Sequence, residues 1–354
     1  MINYIIRRLL LVPVLLFGVT VLIFGMLQFL SPVERSALYV HDIPKNDKQI
    51  EGIIKIYGLD KPIYEQYWRW LVGHIDPGSG ERRGGILFGD FGYSRTASQP
   101  VADLIKTRFP NTLDLTLWAI GPVLFVGIWL GVQAAVHQNG IIDQAARIFS
   151  IVGTSLPIFV FGLLVLMLFY AHWHWFPPGR VSDWANIVLY SDSFHRYTSL
   201  LTIDALLNGR FDIFLDALRH MFLPILTLSY VSWATFVRVT RSSMLETLRM
   251  EYVTTARAKG LRERDVINKH ARPNAMIPVV TLAGFQVILL LGGVVITETV
   301  FNYPGIGQAA ANAAAQLDVI TVLGFAIFNG LILIVANLVV DILYAVIDPR
   351  VRLS

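Results

Sequence analysis

The sequence predicts an all-α integral membrane protein with six transmembrane helices. Two observations predict this class. Of the 354 residues, 55% are hydrophobic and only 15% are charged, whereas soluble domains carry about 25% charged residues. Six stretches are also mostly apolar over about 20 residues, which is the length that crosses the roughly 30 Å hydrocarbon core of a bilayer as an α-helix. The low charge therefore indicates that lipid covers much of the surface.

The predicted spans follow the apolar runs, at residues 9–30, 113–136, 148–170, 221–237, 277–296 and 322–347. The first lies behind Arg7 and Arg8 and is similar to the start of a signal peptide. Its apolar run is too long for one, and no small-residue cleavage site follows, so we expect a retained span. The fourth is the weakest, because Ser229, Ser232 and Thr235 dilute its apolar character.

Proline and glycine within the spans predict bent and closely packed helices. Neighbouring helices can satisfy carbonyls that a proline leaves free, and small residues let helix backbones approach closely. This reading is simpler than a direct role in a pathway through the membrane. The prolines are Pro13, Pro122, Pro157, Pro224 and Pro278, and the glycines include Gly121, Gly127, Gly131, Gly153, Gly162, Gly284, Gly292 and Gly293.

The distribution of positive charge predicts that both termini are cytoplasmic. Short loops rich in Lys and Arg stay in the cytoplasm. Residues 238–272 carry nine Lys and Arg residues, and both ends of the chain are basic, whereas residues 297–321 carry none. The first loop is also basic, but it exceeds the roughly 60-residue limit within which this rule applies.

Span positions divide the chain into three regions: residues 1–30, an external lobe at 31–112, and a five-helix core at 113–354. Within the lobe we predict helices at 64–71 and 101–109, separated by a glycine-rich piece at 76–92. The core contains an acidic external insertion at 171–220 and a basic cytoplasmic loop at 239–276. The external parts either dock a soluble partner or cap the bundle, and composition leaves both open.

Several kinds of chemistry have no motif in this sequence. There is no phosphate loop, no G-x-S-x-G elbow and no H-E-x-x-H pair, and there is no cysteine. His172 and His174 could share a metal, but an aromatic belt at a membrane interface is the favoured interpretation. We therefore predict no catalytic residue, no metal site and no cofactor bound by this chain.

The spans also contain almost no charge, although charged groups there cost about 2.5–3.5 kcal/mol each on insertion scales. Gln286 and Asn329 are neutral. Asn337 and Asp341 are expected to form hydrogen bonds between helices. An ion-driven carrier would need more charged groups, so the energy for any pathway is expected to come from elsewhere.

The basic loop is the most informative segment. Residues 251–260 read E-Y-V-T-T-A-R-A-K-G, which predicts a helix up to Lys259 and a stop at Gly260. A second short helix is predicted from Arg262 to about His270, with Pro273 and Pro278 marking the return to the membrane. From these residues alone, a stiff docking element and an ordinary basic loop facing anionic lipid remain equally good readings.

The loop resembles the coupling loop of ABC-importer permeases, in the dipeptide, oligopeptide and nickel branch. The similarity extends along most of the chain, although Pro273 stands where another residue is commoner. Nothing is carried across the insertion at 181–219. The matching segments are 58–62 (GLDKP), 66–67, 70–71, 89–94 (GDFGYS), 100–101, 108–113 (RFPNTL), 153–159 (GTSLPIF), 298–307 (ETVFNYPGIG), 337–341 (NLVVD) and 348–350 (DPR).

This resemblance implies a type I ABC importer permease in the cell inner membrane, importing peptides. It implies a homologous second permease, two cytoplasmic ATPases that bind ATP and Mg²⁺, and an extracytoplasmic binding protein. The residues implied in coupling to the ATPases are Glu251, Tyr252, Thr255, Ala256, Arg257, Ala258, Lys259, Gly260 and Leu261. Ala256 and Ala258 are expected to leave room for a close partner.

Two alternatives stay open. The same machinery could import nickel or oligosaccharides, which the binding protein would decide. An ion-driven carrier or a channel would instead move solute without any ATPase. The sequence predicts no substrate-binding residue.

Overall fold

A computed structural model describes residues 2–38, 46–75, 80 and 82–347. The chain divides into two compact units. Two of the boundaries fall within the long helices at Val101–Val136 and Val319–Ile347, and the third falls in a loop, between Pro304 and Gly305. One unit comprises Met1–Phe109 with Gly305–Leu338, and the other comprises Pro110–Pro304 with Val339–Ser354. The division by membrane topology given above stays a prediction.

Helices make up most of the described chain. In order they are α1 (Ile2–Leu27), α2 (Pro32–Leu38), α3 (Asp47–Tyr57), α4 (Ile63–Val72), α5 (Val101–Val136), α6 (Ile141–Ser155), α7 (Ile158–Leu166), α8 (Asp183–Leu189), α9 (Leu201–Leu207), α10 (Phe211–Leu248), α11 (Glu251–Ala258), α12 (Glu263–Asp265), α13 (Arg272–Ala275), α14 (Ile277–Leu291), α15 (Val295–Val300), α16 (Ile306–Ala315) and α17 (Val319–Ile347). Two short antiparallel ribbons lie between α4 and α5: β1 (His74–Ile75) with β2 (Arg82–Arg83), and β3 (Tyr93–Ser94) with β4 (Gln99–Pro100).

The core of the first unit joins the start of α5 to α16 and α17. Val101, Leu104 and Ile105 are buried against Ile306 and Phe325. The predicted helix at 64–71 is confirmed as α4. The helix predicted at 101–109 is not separate, because it continues through Pro110 as the first turns of α5.

Asp318 fixes the start of α17 to the loop around β3. Its carboxylate accepts hydrogen bonds from the Thr321 hydroxyl at 2.7 Å, the Ser94 hydroxyl at 3.0 Å and the Thr96 N–H at 3.0 Å. An aspartate just before the first turn satisfies N–H groups that have no partner within the helix. Burial of this carboxylate opposes its ionisation, but the hydrogen bonds outweigh burial and hold the pKa of Asp318 below its usual 3.8.

The second unit is built around α10, a helix of 38 residues that packs against α6, α7, α9 and α14. The predicted fourth span at 221–237 was too short at both ends. Of the three polar residues that weaken its apolar pattern, Ser229 is buried within the protein, and Ser232 and Thr235 are half-buried.

Glycines on α5 allow α10 to approach it closely. A Cβ built on Gly127 would lie 2.5 Å from the Phe236 Cβ, and one built on Gly131 would lie 2.5 Å from the Thr240 Cβ. Only glycine permits this separation, which confirms the expectation of small-residue packing at these two positions. Gly121 has open space around it and takes no part in that contact.

The predicted third span is broken. Leu156 adopts an extended conformation (φ −91°, ψ 125°) before Pro157, as the ring of a proline favours in the residue before it. The helices on either side, which extend through a π-helical turn to His172, are bent by 102°. The predicted fifth span likewise ends early, because α14 stops at Leu291 and Gly293 (φ +94°) separates it from α15.

By length and composition, four described helices are able to cross a membrane: the 22 residues from Ile6 to Leu27, and α5, α10 and α17. Two bent pairs, α6 with α7 and its π-helical turn, and Glu263–Ala275 with α14, raise the number to six if each pair is one span. The all-α membrane class is confirmed, and six spans stay a prediction.

Two polar residues differ from expectation. Asn337 is exposed and donates to the Leu333 carbonyl of its own helix at 2.8 Å, so it does not bond between helices. Asp114 lies inside the predicted second span and is buried, with the Thr202 hydroxyl donating to it at 2.5 Å. The expectation that the predicted spans contain almost no charge did not include this residue.

His172 and His174 belong to an aromatic cluster in which Trp173 and Trp175 stack with ring centroids 4.5 Å apart. In the described part of the chain no group of three His, Cys, Asp or Glu residues is placed to hold a metal ion.

Candidate coupling surface

The coupling loop, residues 239–276, begins with the last turns of α10 and continues into α11. The chain turns at Met250, whose backbone is extended (φ −70°, ψ 147°). The Met250 carbonyl then accepts from the N–H groups of Val253 and Thr254, which starts the new helix. At the other end Lys259 caps α11 and Gly260 has φ +74°. The predicted stop at Gly260 is therefore confirmed.

One face of α11 is anchored inside the second unit. Val253 is completely buried and Ala256 is 6% exposed. They belong to an apolar cluster with Val132 and Ala135 from α5, Met244 from α10, and Val266, Ala271 and Ala275 from the following helical run. The helix is therefore held by the spans on both sides of it, and its movement is tied to theirs.

The other face of α11 is exposed. The exposed members of the predicted coupling set are Glu251, Tyr252, Thr255, Arg257, Ala258, Lys259, Gly260 and Leu261. Tyr252 and Leu261 are each more than 40% exposed, so this face presents two large side chains to a partner. Ala256 differs from the rest, because its side chain packs within the chain. The expectation that it leaves room for a partner was wrong, and Ala258 keeps that property.

An ion pair closes the turn that follows α11. The Arg257 guanidinium donates to both carboxylate oxygens of Glu263, with Nη2 2.8 Å from Oε1 and Nε 3.2 Å from Oε2. This hydrogen bonding raises the pKa of Arg257. The pair is exposed, so it is worth about 0–1 kcal/mol to overall stability. Its effect is local: it joins α11 to the next helix across the residue with positive φ.

The second helix of the loop is longer than predicted. Helical structure runs from Glu263 to Ala275 through a π-helical turn at Val266–Ala271. Pro273 lies in the first turn of α13 and does not mark the end of this run, because the first helical positions need no N–H. A bend of 52° separates the run from α14.

A buried carboxylate locks this end of α10 to α6. Asp143 is completely buried and accepts from the Arg241 Nη2 at 2.8 Å, the Arg147 Nη2 at 3.0 Å and the Asn139 N–H at 2.9 Å. Asp143 and Arg147 both lie on α6, and their spacing of four residues is the signal that they are neighbours on one helix face. Arg241, 98 residues away, carried no such signal.

An open groove with a volume of about 480 Å³ lies along the last turns of α10, next to α11. Arg241, Glu246 and Arg249 are among its lining residues. The groove and the exposed face of α11 together give this end of the second unit a mixed polar and aromatic surface. Of the described residues, none of the predicted coupling set takes part in an arrangement typical of catalysis.

A second polar cluster lies between α5 and the segment that begins at α15, and no pattern in the sequence predicted it. Thr112 donates to the completely buried Glu298 at 2.7 Å. Asn111 donates to the Pro304 carbonyl at 2.7 Å. These residues lie within the matched segments 108–113 and 298–307, whose juxtaposition depends on the fold.

Two family models match this chain, and together they cover nearly all of it. Residues 126–353 match the model of the binding-protein-dependent transport system inner membrane component. Residues 1–116 match the N-terminal part of binding-protein-dependent transport system membrane components. The first match alone covers more than half of the chain. This chain belongs to that family.

Individual relatives cover nearly the whole permease. The dipeptide transport system permease protein DppB of Escherichia coli (strain K12) is 37% identical over 353 residues, 99% of each chain. The di/tripeptide transport system permease protein DppB of Pseudomonas aeruginosa is 38% identical over 356 residues, 99% of each. The oligopeptide transport system permease protein AppB of Bacillus subtilis is 34% identical over 350 residues, 99% of each.

These matches confirm the resemblance drawn from the motifs. The chain is a multi-pass inner-membrane permease component of a transport system. The roles of the individual residues of α11 stay predictions.

Proposed function

We propose that this permease forms the membrane path for di- or oligopeptides in an ATP-driven ABC importer. The names of its relatives support a peptide substrate. An extracytoplasmic binding protein delivers the peptide, and a homologous second permease completes the path. Two cytoplasmic ATPases bind ATP and Mg²⁺, which fits a chain whose sequence has no phosphate loop.

The two faces of α11 carry this proposal. Val253 and Ala256 bind the helix to the spans, while Tyr252, Arg257 and Leu261 remain exposed for a partner. A short helix held in this way moves as one body with α5 and α10. Closure of the ATPase dimer against α11 then changes the arrangement of the spans.

Both termini and α11 lie in the cytoplasm in this proposal, and the external insertion lies on the opposite side. The nine positive charges of residues 238–272 support this orientation. By linkage, a loaded binding protein on the outer side changes ATP hydrolysis on the inner side.

Purification from native membranes followed by mass spectrometry tests the assembly. We expect two ATPase subunits, a second permease and a peptide-binding protein to co-purify, and the ligand of that protein identifies the substrate class. If the chain purified alone and moved solute into liposomes without ATP, the importer proposal would be wrong and a carrier or channel would replace it.

A further inference from the structure

A cavity of about 360 Å³ lies within the first unit, between the end of α1 and the lobe built from α2, α4 and the β-ribbons. Phe24 and Leu27 line it from α1, and both are buried. Among the described residues its charged lining comprises three arginines, Arg35, Arg69 and Arg82, and one carboxylate, Asp90. A volume of this size is in the range of small-ligand pockets.

Arg35 is the unusual member of this lining. Its side chain is only 7% exposed, and a guanidinium stays protonated in proteins. The Arg35 Nη1 donates to two neutral acceptors, the Gln28 Oε1 at 2.7 Å and the Gln66 Oε1 at 2.6 Å. Among the described residues no carboxylate pairs with it, and its Nε is buried without a partner. Burying a positive charge without a carboxylate partner costs free energy unless another anionic group compensates it.

The side chains of Gln66 and Gln28, which contact the Arg35 Nη1, do not supply an acceptor for the Arg35 Nε. Gln66 donates its amide to the carbonyls of Leu59 and Lys61 at 3.0 and 2.6 Å, which holds its oxygen on the Arg35 Nη1. The Gln28 amide nitrogen is likewise buried without a partner. The residues that line the cavity therefore include two buried donors without a partner, the Arg35 Nε and the Gln28 Nε2, beside an uncompensated positive charge.

The other charged residues of the lining leave this imbalance in place. Arg69 is paired with Glu65 at 3.1 Å, and Arg82 lies 3.8 Å from the ring centroid of Phe88. The Asp90 carboxylate accepts the N–H of Gly92 at 3.0 Å. None of these contacts satisfies the Arg35 Nε.

We propose that this cavity is a phosphate-binding site that takes the headgroup of a phospholipid. An oxyanion between the Arg35 Nε and the Gln28 Nε2 would accept both unused hydrogen bonds and balance the charge. The lipid source is favoured because Phe24 and Leu27, at the end of the first predicted span, line the cavity. Leu22 and Met26 on another face of α1, and Phe29 just after it, are 61–92% exposed, which gives acyl chains an apolar surface at the same end of the helix.

Native mass spectrometry of the delipidated permease with its co-purified partners tests this site. Phosphatidylglycerol is the probe, and diacylglycerol with the same acyl chains is the control for apolar contact. We expect phosphatidylglycerol to bind and diacylglycerol not to bind. Competition by inorganic phosphate would show that the phosphate group alone is recognised, and binding of inorganic phosphate without phosphatidylglycerol would assign the site to the free ion.

Gln28→Glu is the decisive variant, because the new carboxylate would itself compensate Arg35 without removing it. It should weaken phosphatidylglycerol binding by about tenfold or more, as expected for the loss of charge-assisted hydrogen bonds. Arg196→Gln, at an exposed residue in the other unit, removes one positive charge and should leave binding unchanged. Unaltered binding to Gln28→Glu, equal binding of diacylglycerol, or no binding of either phosphate probe would overturn the proposal.

Discussion

Gly260 is the residue at which backbone conformation and proposed function meet most directly. Its φ of +74° belongs to the left-handed region, and nothing lies within 4 Å of a Cβ built there. A side chain at this position would therefore meet no steric clash with its neighbours, and the whole penalty would come from the backbone. A substitution at Gly260 therefore changes the conformation of the turn without changing the packing of α11.

Gly260→Val should uncouple transport while leaving the subunits assembled. The positive φ costs a residue with a Cβ about 1–2 kcal/mol, which lowers the population of the native turn roughly 5–30-fold. Peptide uptake should fall accordingly, while the ATPases still co-purify. Gly209→Val is the matched control, because Gly209 has φ +67° and equally open surroundings but lies outside the coupling loop. Equal uptake in the two variants would contradict the role of Gly260.

Asp318 gives a prediction with a defined pH dependence. Asp318→Asn should lower the stability of the folded chain by about 1–3 kcal/mol at neutral pH, because buried hydrogen bonds to a charged acceptor are weakened. The pKa of Asp318 is lowered in the folded state, so its contribution is present above the unfolded value of 3.8 and is lost as the pH falls through the folded pKa.

Thermal unfolding in detergent at neutral pH and in acid measures this difference. The gap between the native chain and Asp318→Asn should shrink as the pH falls. Asp103→Asn is the control, since Asp103 is exposed and pairs only with the exposed Lys106, and should change stability by no more than about 1 kcal/mol. A gap for Asp318→Asn that stays constant with pH would show that its charge is not the stabilising feature.

At the scale of elements, the close approach of α5 and α10 is the contact most sensitive to one methyl group. Gly131→Ala should destabilise the second unit by about 1–3 kcal/mol, because the new Cβ overlaps the Thr240 Cβ and the helices must separate. Gly121→Ala on the same helix enters open space and should be neutral or slightly stabilising, since alanine favours helix by up to about 1 kcal/mol. Melting temperatures of the two variants in the same detergent decide the matter. A shift of the same sign in both would mean that helix propensity, and not packing, governs this face.

The sequence predicted elements whose signals are local. Apolar runs located the long helices α1, α5, α10 and α17, and a glycine after a basic helix located the end of α11. The sequence could not show which prolines break a helix. Pro110, Pro122 and Pro224 lie inside long helices, whereas Pro157 ends one, because neighbouring elements decide whether a freed carbonyl is satisfied.

Long-range contacts were beyond the reach of pattern analysis for a similar reason. Asp143 and Arg241 are 98 residues apart, and neither residue has a neighbour in sequence that predicts the pair. Ala256 shows a different limit of the sequence. Its small size predicted a surface open to a partner, but in the structure the side chain packs within the chain. Residue type alone does not say which side of a short helix faces its own chain.

For the whole molecule, the open question of topology is the number of times the chain crosses the bilayer. The 102° bend at Leu156 and the 52° bend near Met276 are compatible with broken spans or with re-entrant segments. Six crossings put the regions before and after each bent pair on opposite sides of the membrane, whereas a re-entrant pair puts them on the same side.

Single-cysteine labelling tests this directly, because the natural chain contains no cysteine and is its own unlabelled control. The exposed residues Gln138, Ser193, Arg264 and Gln316 flank the two bent pairs. With six spans, Ser193→Cys and Gln316→Cys should react with a membrane-impermeant maleimide in intact spheroplasts, and Gln138→Cys and Arg264→Cys should react only in inverted vesicles. Labelling of positions 138 and 193 from the same side would make α6 and α7 a re-entrant pair, and labelling of 264 and 316 from the same side would do so for the helices that lead into α14. A re-entrant α6–α7 pair would move the following loops across the membrane, and the exposed face of α11 would then meet a cytoplasmic ATPase only if the positive-charge orientation were also reversed. A re-entrant pair leading into α14 would leave α11 in place, because α11 precedes that pair, and would move only the loops that follow it.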